Sequence, residues 1–242
     1  MLRFVFLFAI YAASGAAAVA IVGGSTGEHS AQRHTVFLTS RVQDCSGTLI
    51  ARDLVITAAH CFSSGGSFSI TTSAGSIAVS QVVIHPAFRR DTYETHKPSP
   101  DIAIVKLASP VPQPLRPARL ATDKEFPPRG ATFLIAGYGE GKEGDRRIGT
   151  FRTAPLINAG TTGGIMLRLH APKDAPGTGS CTGDSGGSAY RSQGGSLILY
   201  GVIAWAGGRP GSNCGAVTGI VLVANQIEWI RATAKRLGSS LD

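Results

Sequence analysis

Apolar residues in this chain alternate with polar ones or form short unbroken runs, and glycine, proline or serine interrupts them every few residues. The clearest runs are Thr35–Thr39, Thr48–Ile50, Leu54–Thr57, Ile77–Ile84, Ile102–Leu107, Phe133–Ala136, Ile165–Leu169, Leu197–Trp205 and Ile220–Val223. Period-two runs of this length, bounded by turn residues, predict many short strands and an all-β barrel or sandwich. The stretch Ser109-Pro110-Val111-Pro112-Gln113-Pro114-Leu115-Arg116-Pro117 cannot hold a central strand, because each proline lacks an amide donor. It is expected to be a crossing between two β-modules, near residues 109–120. One helical pattern stands out, from Asn225 to Leu237, with Ile227, Ile230, Ala234 and Leu237 on one face and Gly238 as its stop.

Composition narrows the class. The chain has 242 residues, 43% hydrophobic and 16% charged, with 31 glycines, which suits one compact unit rather than disorder or a coiled coil. No period of 20–50 residues recurs. Residues 1–20 read as a secretory signal: Arg3 is the only charge, Phe4 to Tyr11 form an apolar centre, and Ala18-Val19-Ala20 fits a small-residue cleavage site. A membrane anchor is the competing reading, but Ala, Ser and Gly insert weakly. The formal charge of +8 becomes +7 without Arg3. Basic residues gather at Arg116, Arg119, Lys124 and Arg129, at Arg146, Arg147 and Arg152, and at Arg231, Lys235 and Arg236, and are expected to form a solvated face open to polyanions. The four cysteines allow three pairings, and their spacings fit no zinc site.

The chemistry concentrates in Cys181-Thr182-Gly183-Asp184-Ser185-Gly186-Gly187. A serine hydroxyl needs a base, backbone freedom and donors for the oxyanion it creates. Gly183 allows close backbone approach, and the Gly183 and Ser185 amides can both face the developing charge. Upstream, Thr57-Ala58-Ala59-His60-Cys61 offers the base, and Asp101 heads the apolar run that ends at Leu107. His60, Asp101 and Ser185, in that order, resemble the chymotrypsin-like (trypsin-fold) serine peptidases, over nearly all of residues 21–242.

The resemblance implies an all-β fold of two six-stranded antiparallel β-barrels packed around a catalytic cleft, closed by a C-terminal α-helix. The first barrel spans about 21–108, the second about 121–223 and the helix about 225–237. It implies disulfides Cys45–Cys61 and Cys181–Cys214, and a triad in which His60 takes the Ser185 proton while Asp101 orients the imidazole. It also implies an activation pair, in which a freed Ile21 ammonium meets Asp184. Ser188 stands where the family usually has proline, which loosens a backbone constraint. Ala204-Trp205-Ala206 replaces the usual Ser-Trp-Gly, so Asp101 loses a hydroxyl partner. The primary pocket is expected at Gly179, Ser180, Ala204, Trp205 and Ala206, with either Thr218 or Gly219 as the far wall. Gly179 offers no carboxylate to a basic substrate side chain, so small to medium apolar residues are expected.

The implied activity is a secreted (extracellular or periplasmic) serine endopeptidase acting as a monomer, with no cofactor or metal. Its partners would be protein or peptide substrates and protein inhibitors, without specific nucleic-acid binding or stable membrane insertion. A cationic binding or membrane-perturbing protein on the same scaffold is the rival, supported only by the net charge. Cleavage after Ala20 would expose Ile21 during export; cleavage after Ala18 would leave a short extension.

Overall fold

The structure is a computed structural model that describes residues 21–27, 29–91, 98–145 and 147–241. Residues 1–20, which carry the expected signal, and Arg146 lie outside them. Six strands, β1 (Thr35–Thr39), β2 (Asp44–Ala51), β3 (Leu54–Thr57), β4 (Ser69–Thr72), β5 (Gly75–Ile84) and β6 (Ala103–Leu107), close a barrel in the order β1-β2-β3-β6-β5-β4. Residues 109–118 hold no strand and carry the chain to the second half. There β7 (Arg119–Leu120), β8 (Thr132–Gly137), β9 (Arg152–Thr162), β10 (Met166–His170), β11 (Ser188–Gln193), β12 (Ser196–Gly207) and β13 (Val217–Leu222) follow. β12 pairs with both β13 and β11 and so closes a six-stranded antiparallel barrel, while β7 adds to β12 in parallel.

Strand periodicity sorts the side chains between two environments. Val55, Val105 and Leu107 point into the first barrel, whereas their neighbours Leu54, Ile56 and Ile104 face the contact between barrels. In the second barrel Leu167, Ile203, Ile220 and Leu222 point inward, and Met166, Val202 and Val221 meet the first barrel. Both faces of these strands are therefore apolar, which explains unbroken runs such as Leu54-Val55-Ile56.

Four strands were absent from the expectations. β9 carries Pro155 and Gly160, which read as breaks. Pro155 pairs with Leu134 of β8 before β10 joins the other edge at Ile157, so its missing amide costs no ladder bond on that side. Gly160, at φ +121°, sits beside the β9–β10 register shift. β4, β7 and β11 are short or largely polar. The expected helix begins two residues later, as α1 (Ile227–Arg236), behind a 3-10 turn at Ala224–Gln226. It ends as predicted: Gly238 (φ +72°) donates to the Lys235 carbonyl and Ser239 to that of Ala234. Ile230 and Ala234 seat α1 on the inter-barrel core. Ser239 Oγ also bonds Asp53, 2.7 Å away, and the Lys106 ammonium, at 2.6 Å, in the first barrel. Among the described residues no helix is long and apolar enough to cross a membrane.

Ser188 does more than loosen the backbone. Thr35 Oγ1 donates to the Ala31 carbonyl (3.0 Å), so it must accept from Ser188 Oγ (3.1 Å) and from the Tyr190 hydroxyl (3.2 Å). Ser188 then has only acceptor capacity left for Thr48 Oγ1, 2.6 Å away. The buried O–H groups therefore run in one direction across the barrel interface, from Thr48 through Ser188 and Thr35 to Ala31. Burial pushes the Tyr190 phenol up to about 12, keeping it a neutral donor. Ser188→Ala should strand the Thr48 donor and lower stability by about 1–3 kcal/mol, read as a lower thermal midpoint with the substrate cleft intact.

Candidate active site

His60 lies in the 3-10 turn Ala59–Phe62, which follows β3 directly. Its neighbour Cys61 is bridged to Cys45 of β2 (S–S 2.02 Å), so the turn is fixed at both ends. Asp101, two residues before β6, receives the His60 amide on Oδ1 (2.9 Å) and faces His60 Nδ1 with Oδ2 (2.6 Å). An ionised carboxylate only accepts, so Nδ1 carries the proton and the lone pair of Nε2 is left for chemistry. The His60 amide thus supplies support for Asp101 that the Ala204 side chain cannot. The carboxylate is nearly buried, at 8% exposure, against 23% for the imidazole.

The loop that carries Ser185 joins β10 to β11. Cys181–Cys214 (S–S 2.06 Å) ties it, four residues before Ser185, to the segment before β13. Within the loop the Asp184 amide donates to the Cys181 carbonyl (3.1 Å) and the Gly187 amide to that of Asp184 (2.8 Å). Gly183 has φ +89°, and a Cβ there would sit 2.9 Å from both Gly139 Cα and Ile148 Cγ2, so only glycine fits. Among the described residues neither the Gly183 nor the Ser185 amide donates to a protein acceptor, which leaves both open to an oxyanion.

Ser46 belongs to no catalytic sequence pattern. It is fully buried in β2. Its amide donates to the Ser185 carbonyl (2.8 Å), and its hydroxyl donates to the Gly183 carbonyl (2.9 Å) and accepts from the Tyr138 amide (2.9 Å). A first-barrel residue therefore holds the peptide on either side of Asp184.

His60, Gly183, Ser185, Ala204, Trp205 and Ala206 line one cavity of about 620 Å³. Ser185 Oγ and His60 Nε2 share it without a direct hydrogen bond; such contacts often tighten only when substrate docks. Of the expected pocket residues, Gly179, Ser180, Thr218 and Gly219 do not line this cavity. The strand register distinguishes the last two. Thr218 stands opposite Ala206, and its Oγ1 takes the Ser180 amide (3.0 Å) and lies 2.9 Å from Ser180 Oγ. Gly219 stands opposite Trp205, and a Cβ there would lie 2.0 Å from the indole Nε1. Gly219 is thus where the indole lies, and Thr218 shares its face with Ala206. Ser180 and Thr218 are both 0% exposed.

Asp184 is also 0% exposed. Oδ1 accepts from the Gly139 amide (2.8 Å) and Oδ2 from that of Cys181 (2.9 Å). Burial outweighs these bonds and pushes its carboxyl up to about 7. Arg152, expected on a solvated face with Arg147, is instead buried, at 2% exposure; it begins β9, where the barrel wall covers it. Ile21 is buried too, and Val22 bridges Gly179. Among the described residues no three His, Cys, Asp or Glu side chains gather to hold a metal ion.

The trypsin family model matches residues 21–230. Serine protease 56 of Mus musculus is 34% identical over 213 residues, 78% of this chain and 34% of its own length. Serine protease 1 of Canis lupus familiaris is 28% identical over 232 residues, 88% of this chain and 89% of its own. A trypsin-like protease of Streptomyces glaucescens is 29% identical over 219 residues, 81% of this chain and 76% of its own. The chain spans about a third of the length of the mouse and human forms of serine protease 56. The chain belongs to the trypsin family, the chymotrypsin-like serine peptidases.

The Asp184 environment sets a pH dependence while the Ala20–Ile21 bond is intact. A carboxyl raised in the fold binds its proton more tightly there than in the unfolded chain, so its contribution is full below about pH 4 and is lost as pH rises through about 7. Thermal unfolding from pH 5 to 8 should show the uncleaved chain losing more stability than its Asp184→Asn variant. The difference should be on the order of 2–4 kcal/mol.

Proposed function

We propose that this chain is a secreted serine endopeptidase that cleaves protein or peptide substrates after small apolar residues. The 2.6 Å contact of His60 Nδ1 with Asp101 Oδ2 carries the reading, because it aims a basic Nε2 into the cavity that Ser185 lines. Ser185 Oγ attacks the substrate carbonyl carbon as its proton passes to His60 Nε2. The carbonyl oxygen becomes an oxyanion held by the Gly183 and Ser185 amides. Collapse breaks the peptide C–N bond, His60 gives its proton to the departing amine, and an ester remains on Ser185. Water, deprotonated by His60, releases the acid and restores the serine. Asp101 keeps the imidazole in the tautomer that both half-reactions need.

The pocket reading favours small side chains. Thr218, tied to Ser180, fills the space behind Ala206, and no carboxylate stands at Gly179 for a lysine or arginine. Export is supported by Ala18-Val19-Ala20 and by the pairing of all four cysteines. Cleavage after Ala20 would free an Ile21 ammonium to pair with Asp184, making the enzyme competent on secretion. Protein inhibitors would occupy the same cleft, which is complete within one chain and suits a monomer.

A phosphonylating reagent should label Ser185 in protein that begins at Ile21, and Ser185→Ala should abolish both labelling and turnover with an unchanged thermal midpoint. Labelling elsewhere only, or turnover by Ser185→Ala, would overturn the assignment. In a peptide library, cleavage should follow Ala, Ser or Val rather than Arg or Lys. Thr218→Gly should raise kcat/KM for Leu or Phe over Ala by about 10- to 100-fold.

A further inference from the structure

Asp184 presents a physical problem in the uncleaved chain. Its carboxyl is fully enclosed, yet the Ile21 nitrogen is then a neutral amide bonded to Ala20. A buried carboxylate without a counter-charge is costly, and its inward pose fixes the peptide units on both sides of it. The Gly139 and Cys181 amides satisfy its oxygens but carry no net charge.

The β8–β9 ladder brings a cation to this point. Arg152 stands directly opposite Gly137, and residues so paired in antiparallel strands project from the same face of the sheet. On that face a Cβ at Gly137 would fall 2.3 Å from Asp184 Oδ1. The space that a side chain at 137 would fill is therefore occupied by the carboxylate, and Arg152 projects from the same face, with Nη1 donating to the Thr150 carbonyl (3.4 Å). The arginine is almost wholly enclosed, which a guanidinium tolerates only near compensating charge. Burial lowers its affinity for its proton, and Asp184 and then Asp145 restore it. Reciprocally, Arg152 stabilises ionised Asp184, while Glu140 opposes it. The adjoining residue of β9, Thr153, bridges Ser25, so the segment that follows Ile21 packs against the strand that carries the arginine.

We propose that Arg152 is a positioning residue that holds Asp184, and through it the Gly183 amide, in the oxyanion-binding arrangement before any Ile21 ammonium is released. The internal cation and the terminal ammonium are then alternative partners of one carboxylate, and the chain with an N-terminal extension keeps part of its reactivity. This assignment rests on the peptidase reading above.

The test compares forms beginning at Val19 and at Ile21, each with Arg152, Arg152→Met or Arg152→Lys. In the Val19 form Arg152→Met should slow phosphonylation of Ser185 about 10- to 100-fold, a part of the roughly 100- to 1000-fold that outright loss of an oxyanion donor costs. It should also lower the thermal midpoint, and Arg152→Lys should recover most of both. In the Ile21 form the same change should cost less than about 3-fold, because two partners of one group do not contribute additively. Equal losses in both forms, or none in either, would overturn the proposal. If no form reacts at Ser185, the peptidase reading fails instead. A midpoint drop confined to the Val19 form would still support the role of Arg152, and its absence would refute it.

Discussion

Ser185 and His60, the proposed nucleophile and base, sit on different barrels, so the site depends on whatever fixes one barrel against the other at that point. Ser46 does this. Its amide and hydroxyl reach the carbonyls of Ser185 and Gly183, and its own carbonyl accepts Thr57 Oγ1 at 2.7 Å. Thr57 ends β3, three residues before His60, and Cys45 is bridged to Cys61 on the other side of that histidine. His60, Ser185 and the loop through Gly183 are thus referred to a single buried residue. Displacements of about an ångström in such sites can cost about 100-fold in rate, and an apolar contact between barrels could not hold that tolerance without directional bonds.

Two buried aspartates flank this centre and meet different fates. Asp101 places each oxygen against a group of His60 and has one task, to orient it. Asp184 has two backbone donors and yet remains raised by burial, so its state depends on which cation stands nearby. A carboxylate left under-compensated is a natural place for control, since a single added charge redistributes the strain of the loop around it.

Much of this was legible in the sequence, for reasons that differ by residue. Strands with both faces covered, such as Leu54–Thr57 and Ala103–Leu107, announce themselves because every position but Thr57 and Lys106 is apolar. His60, Asp101 and Ser185 were visible through their local motifs, and the disulfides through the family those motifs resemble. β9 was hidden because Pro155 and Gly160 are breakers tolerated only through the pairing around them. The choice between Thr218 and Gly219 required the β12–β13 register, which a bulge between Ile203 and Trp205 shifts. Ser46 and Arg152 were illegible as site residues, since a lone serine in a strand and an arginine among other basic residues carry no signal. What gives them their roles is a neighbour distant in sequence, Ser185 in one case and Asp184 in the other.

The one-way line of hydroxyls from Thr48 through Ser188 and Thr35 also bears on how this protein can be recombined. Each group in the line has its donor and acceptor already assigned, half of them from each barrel. A second barrel taken from a relative with proline at 188 would bring no hydroxyl to receive Thr48. A first barrel with valine at 35 or 48 would leave Ser188 or Tyr190 facing hydrocarbon. The barrels are separate in topology but matched as a pair, and exchange between relatives would succeed only when these interface positions travel together.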